Sequence, residues 1–574
     1  MAINADRLDE LPEALRPAVA RWFERLEETH GSVELAADVE NQLQRVVAVS
    51  EFAANVLLRD WDYWQSRLQQ LASPPDPEVL NEFAGDLAAS EVGIDEVKSR
   101  LRRFRHRYML QILWREVAGT AELAETLGAL SALADRLLAA AAGYAERQLE
   151  ERFGRFRDGE GTAVPLVVLA MGKLGGGELN FSSDIDIVFL YPADGESDGA
   201  RKLSGQQFFT RFSQSIVSLL DERTADGFVF RVDTRLRPFG DSGPPVTSFA
   251  ALESYLLHHG RDWERYAYIK AHIVGQPPPA AVADELFRNL VVPFVYRRYL
   301  DYGVIESLRE MYALIAAEVQ RRDLADNVKL GPGGIREIEF IVQSMQLVRG
   351  GNCEELQQPS LLRVLPKLEG SRGLERAAVI RLQEAYVFLR RLENFIQAMR
   401  DQQAHDLPGD DVDRDRLCVA MGYPDWESLA RDLDRHRRNV TREFEAIAFR
   451  GGDAGTESEL EQRFAALWKS GASQEEWTAG FSGQRDADTL AEGLAAFQHA
   501  PSTLKIDAIA QERLARFMPR LLALVVRRDE PRLALERTLS VVNRILRRSA
   551  YVSLLNENRL ATGRLVQLCE SSSY

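Results

Sequence analysis

The sequence predicts an α+β chain, mostly helical, with one small sheet domain embedded between helical domains. Three observations predict it. Residues 1–150, and most of the chain beyond 250, run in long amphipathic or alanine- and leucine-rich stretches with few breakers. Two short apolar runs rich in β-branched residues, 165–171 and 183–191, flank a glycine-rich turn at 172–180, as buried strands do. A third run, 228–236, alternates apolar and charged residues and ends at Pro238, where a backbone donor disappears.

In chain order, 97–114 and 129–145 read as helices. The Asp/Gly/Ser-rich stretch 192–199 reads as an exposed loop, and 204–221 as a helix. After Pro244 and Pro245 the helical pattern returns. Val304, Leu308, Met311, Ile315 and Val319 recur at helical spacing, and so do Ala385, Phe388, Leu392, Phe395 and Met399. The stretch from Gly451 to Ser458 has no apolar anchor and reads as a linker. From 460 to 569 the pattern is helical again. The expected organisation is therefore a helical region (1–150), a sheet core (151–250), a helical domain completing the site (251–450), a linker (451–458) and a helical regulatory domain (459–574).

The 574 residues suggest about three or four domains. The formal charge of −16, from 71 basic and 87 acidic residues, argues against a general nucleic-acid binder, which would need cations to displace phosphate counterions. Cys353, Cys418 and Cys569 are far apart and fit neither a disulfide framework nor a metal motif. No basic-apolar leader opens the chain and no apolar run reaches about 18 residues, so a cytoplasmic protein without membrane partners is expected.

The chemistry concentrates in 172–237. On a strand, Asp184 and Asp186 share a face, while Ile185 and Ile187 turn to the core. Two neighbouring carboxylates repel, and an oxygen-seeking divalent cation is their natural partner. On the third run, Arg231, Asp233, Arg235 and Arg237 share one face. If that run lies beside 183–191, three carboxylates converge with guanidinium groups nearby. Such a set could hold two magnesium ions about a phosphate. The arginines offer planar phosphate recognition. The turn containing Gly175 and Gly176 would let backbone N–H groups approach a phosphate, with Lys173 nearby as a point charge. Asp-x-Asp alone is ordinarily a solvated edge, and Arg231 can equally be a structural ion pair.

The stretch Gly172-Lys-Leu-Gly-Gly-Gly-Glu-Leu-Asn-Phe-Ser-Ser-Asp-Ile-Asp186 resembles the signature of the DNA polymerase β-like nucleotidyltransferase superfamily. Within it, the chain resembles the bifunctional glutamine synthetase adenylyltransferase/adenylyl-removing family. The resemblance continues through Phe230-Arg-Val-Asp-Thr-Arg-Leu-Arg-Pro-Phe-Gly-Asp-Ser-Gly243, Gly260-Arg-Asp-Trp-Glu-Arg-Tyr266 with Lys270, and Lys329-Leu-Gly-Pro-Gly-Gly-Ile-Arg-Glu-Ile-Glu-Phe-Ile-Val-Gln343. It implies a polymerase β-like sheet domain, with Asp184, Asp186 and Asp233 as catalytic Mg2+ ligands and Gly175, Gly176, Ser183, Lys173, Arg235 and Arg237 about the nucleotide or phosphate. It implies the adenylyl-removing half, which strips AMP from a tyrosine of glutamine synthetase with inorganic phosphate and yields ADP. A PII-type signal protein would be the regulator, and phosphate, ADP and ATP the small ligands. Two alternatives stay open: adenylylation from ATP by the same fold, and a non-catalytic nucleotide-binding scaffold.

Overall fold

The computed structural model describes residues 8, 10–31, 35–297, 324–370, 373–448, 459–546, 551–552, 555–556 and 559–571. The expected helix through Val304 to Val319 and the expected linker 451–458 lie outside the described residues. The rest divides into two compact units, one up to Glu443 and one from Phe444 onward. Among the described residues no helix is long and apolar enough to cross a membrane.

The first unit opens with helices, among them Ile94–Val117 and Leu123–Phe153, which contain the two stretches expected to be helical. Seven short strands are described: β1 (Phe156–Asp158), β2 (Val167–Ala170), β3 (Ile185–Tyr191), β4 (Gly195–Ser197), β5 (Val232–Asp233), β6 (Val246–Ser248) and β7 (His272–Val274). β1 and β4 form a separate antiparallel ribbon. The main sheet is mixed. β2 lies antiparallel between β3 and β7. The other edge of β3 pairs in parallel first with β5 and then with β6.

β2 is buried throughout, and β3 everywhere except at Asp186. This is why both read as near-continuous apolar runs. Fully buried side chains such as Ile185 and Ile187 (each 0% exposed) contribute about 1.5–3 kcal/mol apiece. The helix Gly205–Asp221 starts where expected, with Ser204 as its N-cap and Phe208, Phe209, Phe212 and Ile216 on its buried face. It packs against β3, β6 and the Leu123–Phe153 helix.

The structure departs from the expected elements in four places. The run 228–236 is a strand only at Val232–Asp233, because Asp233 Oδ1 accepts the Arg235 backbone N–H at 2.8 Å and turns the chain. Phe239, at φ 62°, lies in the turns that follow. The supposed loop 192–199 contains β4. Two strands, β6 and β7, follow Pro245, where only helix was expected. The glycine-rich turn contains one helical turn, Gly172–Gly175.

Beyond the sheet, the unit is helical. Ile335–Arg349 and Arg376–Ala398 are helices, and the second carries the expected periodic segment from Ala385. The second unit consists of helices from Glu459 to Ser571, around a core that includes Phe464, Trp477, Phe517, Leu521 and Val542. The expectation of an α+β chain with a small sheet among helices holds.

Candidate active site

Three segments converge at the start of β3. The parallel pairing sets Asp186 directly opposite Asp233. Asp184 lies one residue before β3, and the Ile185 N–H donates to the Arg231 carbonyl at 2.9 Å. The three acidic residues singled out in the sequence are thus neighbours, although they do not share one environment.

Asp184 is gripped from both sides. Arg231 Nε donates to Oδ1 at 2.6 Å, and Gln403 Nε2 donates to Oδ2 at 3.1 Å. Asp233 accepts from Arg235, which approaches Oδ2 through Nε at 2.9 Å and through Nη2 at 2.5 Å. These bonds hold the Asp233 carboxyl below its ordinary range. Among the described residues no arginine bonds Asp186. Burial, then the charge of Asp233, pushes it up to about 6, with Asp184 adding to the rise and Lys329 and Arg235 opposing it.

The Asp186 carboxylate presses on the glycine segment. Gly172 has φ +55°, and a Cβ there would stand 2.3 Å from Asp186 Oδ2. Glycine is therefore required twice over, by backbone conformation and by proximity. A Cβ on Gly175 would meet the Lys270 carbonyl at 1.9 Å, so the helical turn and the start of β7 can pack only around glycine.

The phosphate-binding candidates separate. The N–H groups of Gly175 and Gly176 donate within the turn, to Met171 and Gly172 carbonyls, and are not turned outward to an anion. Ser183 is buried beside Asp184. Lys173, expected beside a phosphate, is instead buried, its Nζ 2.8 Å from Glu393 Oε1. Burial pulls its ammonium down to about 7 against the offsetting charge of Glu393. Arg237 donates to Thr234 Oγ1 at 2.8 Å and is largely enclosed, whereas the Arg235 side chain is 72% exposed. Arg231 is an ion pair with Asp184.

A buried polar layer beneath the site was not visible in the sequence. Helix Arg376–Ala398 presents Asn394 and Gln397 to the backbone of 181–182 and Glu393 to the Asn180 side chain. Asn394 Oδ1 accepts from the Phe181 N–H at 2.8 Å, and Gln397 Oε1 from the Ser182 N–H at 2.9 Å. Glu393 also accepts from Asn180, and His405 Nδ1 stands 2.9 Å away. Burial opposes ionisation of Glu393, yet Lys173, His405 and Arg390 hold it well below the carboxylate range. Arg390 in turn bonds Tyr386 Oη at 2.6 Å and the Glu178 carbonyl.

The other segments carrying the resemblance flank this layer. Lys270 is buried against Glu339 at 2.6 Å. Glu264 accepts from Tyr255 Oη at 2.6 Å, while Trp263 is exposed. Asn327 Oδ1 accepts from the N–H groups of Lys329 and Leu330, which fixes the turn before Ile335–Arg349.

Among the described residues, no three His, Cys, Asp or Glu side chains form a ready metal cage. Magnesium is commonly held by one or two carboxylates together with substrate phosphates and water. Two facing carboxylates, one of them raised by burial and then by the charge of its neighbours, have the donor chemistry for that mode.

Residues 40–285 match the family model described as glutamate-ammonia ligase adenylyltransferase, and 309–448 match one described as GlnD PII-uridylyltransferase. The chain is 43% identical, over 99% of its length, to the bifunctional glutamine synthetase adenylyltransferase/adenylyl-removing enzyme of Thioalkalivibrio sulfidiphilus. It is 42% identical over 98% to the enzyme so named in Pseudomonas aeruginosa, and 40% identical over 98% to that of Stenotrophomonas maltophilia. It spans 59% of the length of each of these relatives. The sheet, the Asp184–Asp186 segment and the similarity along nearly the whole of this chain agree: it is similar to a 59% stretch of the bifunctional glutamine synthetase adenylyltransferase/adenylyl-removing enzymes.

Proposed function

We propose that this chain removes adenylyl groups from glutamine synthetase by phosphorolysis. The observation that carries the reading is the Asp186–Asp233 pairing at the mouth of a nucleotidyltransferase sheet, with Asp184 beside it and an exposed arginine on Asp233. Asp186 and Asp233 would be the principal Mg2+ ligands and Asp184 the third. The ion would supply charge neutralisation at the phosphoryl oxygens.

In the reaction, an oxygen of inorganic phosphate bonds to the adenylyl phosphorus. The bond from that phosphorus to the tyrosine oxygen breaks, and the tyrosine oxygen ends protonated. Products are ADP and unmodified tyrosine. Two anions must meet, so cationic side chains and positioning supply much of the catalysis. Arg235 would hold the incoming phosphate from the solvent side, and Arg237 would brace the turn that presents it. Lys173, committed to Glu393, would act through the shape and charge of the layer under the site. Ser183, Gly175 and Gly176 would shape the nucleotide side through close packing.

Residues 151–250, with the helical segments up to 450, would make up the catalytic part. The helices from 459 onward would carry regulatory contacts, with a PII-type signal protein as partner. The free thiols Cys353, Cys418 and Cys569 fit a reducing, cytoplasmic setting. The test is incubation with adenylylated glutamine synthetase, phosphate and Mg2+. ADP release supports the proposal. AMP transfer from ATP onto unmodified glutamine synthetase, without ADP release from the modified form, would reverse the assigned direction.

A further inference from the structure

Two segments hold Asp184, and at their points of contact neither is regular secondary structure. Arg231 precedes the two-residue β5. Gln403 sits in the turn after helix Arg376–Ala398. A grip made by two irregular segments orients a carboxylate only if something fixes both backbones.

Asp401, two residues before Gln403, has φ +52°, the left-handed region that non-glycine residues enter at some cost. Its two carboxylate oxygens accept the two Nη groups of Arg105, at 2.7 and 2.9 Å. Arg105 comes from helix Ile94–Val117, 296 residues earlier in the chain. It is 1% exposed and its partner 10%. The flat guanidinium also lies 5.0 Å from the Phe228 ring and 5.5 Å from the Phe230 ring. Arg231 follows directly, its own guanidinium 5.1 Å from Phe228. One buried side chain therefore touches both segments: its fork fixes the Gln403 turn, and its face supports the aromatic pair ahead of Arg231. Only arginine combines a fork with a flat stacking face.

We propose that Arg105, clamped to Asp401, is the positioning residue that sets the orientation of the Asp184 carboxylate. Its role in turnover rests on the phosphorolysis reading; its role in geometry does not. The clamp also gives the amino-terminal helices a direct part in the site, since Arg105 belongs to one of them.

The test uses the full chain carrying Asp401→Asn, Arg105→Lys or Gln403→Ala. Asn keeps the left-handed backbone accessible but loses the ion pair, and Gln403→Ala breaks the grip without touching the clamp. Hydrogen–deuterium exchange is read first, with no substrate present. The Gln402 and Ala404 amides report on one segment, and Val229 and Phe230 on the other; all four are hydrogen-bonded. Asp401→Asn and Arg105→Lys should speed exchange about fivefold or more in both segments while β2 stays protected. In the phosphorolysis assay all three variants should lower kcat about tenfold, with KM for phosphate within about twofold, as misplacement of a reacting group does. Exchange unchanged in either segment, or faster exchange with wild-type kcat, overturns the proposal. If the unmodified chain releases no ADP, the phosphorolysis reading falls, and the exchange result alone decides whether the clamp exists.

Discussion

Asp186 and Asp233 face each other across the parallel β3–β5 pair, and among the described residues only Asp233 has an arginine bonded to it. The pair is therefore electrostatically lopsided. One carboxylate is paired with Arg235; at the other, burial and then the charge of Asp233 outweigh Lys329 and Arg235 and push it up to about 6. Such a site stores an unmet demand for positive charge.

That demand sets a pH dependence. Asp186 binds its proton more tightly folded than unfolded, so the native state holds more protons between about pH 4 and 6. Stability from this group falls as pH rises through that window and stays lost above it. Asp186→Asn should remove the dependence and raise stability at pH 7 by on the order of 1–3 kcal/mol. Urea melts from pH 4 to 8 on both proteins check this, and identical slopes would contradict it.

Magnesium should act in the opposite sense. It needs the ionised carboxylate, so its stabilisation should be larger at pH 7.5 than at pH 5. Thermal melts with and without Mg2+ measure the difference. Asp186→Asn and Asp233→Asn should each shrink it.

Asp184→Asn and Asp186→Asn should each lower turnover by about 10²–10³-fold, the scale of losing one preorganised electrostatic group, with the fold intact. Circular dichroism and ADP release, measured on the same preparations, separate the two effects. Near-native rates in both variants would remove these residues from the chemistry.

Gly172→Ala tests the contact between the glycine turn and β3. The new methyl group meets both a left-handed backbone and the Asp186 carboxylate. A loss of about 1–3 kcal/mol is expected, with reduced turnover. Gly177→Ala is a control: its φ is also positive, but its Cβ would meet nothing within 4 Å, so it should be milder.

Glu393→Gln should be the most destabilising of these changes. It leaves the buried Lys173 ammonium without its charge partner, at a cost of about 3–5 kcal/mol. Lys173→Met combined with Glu393→Leu should recover part of that loss, which equilibrium unfolding can measure.

The sequence made β2, β3 and the Gly205–Asp221 helix legible because burial on one or both faces writes a long pattern. It could not limit β5 to two residues, because the stop is a single side-chain event, the capture of the Arg235 amide by Asp233. Three-residue strands such as β4, β6 and β7 carry too few positions for a period to show. The nearness of Asp184, Asp186 and Asp233 followed from alternation once the two runs were placed side by side. The partners that define their environments did not. Gln403, Glu393 and Arg105 reach the site from residues that are remote in sequence, and nothing in their local composition marks them. Lys173 shows the converse: a lysine inside a glycine-rich motif looks like a phosphate ligand until the helix that supplies Glu393 is in place.

The most direct test is release of ADP from adenylylated glutamine synthetase in the presence of inorganic phosphate and Mg2+. The lopsided Asp186–Asp233 pair predicts ADP release that depends on both additions and is lost in Asp186→Asn. ADP release that persists in Asp186→Asn, or no release from the unmodified chain with both additions present, would contradict it.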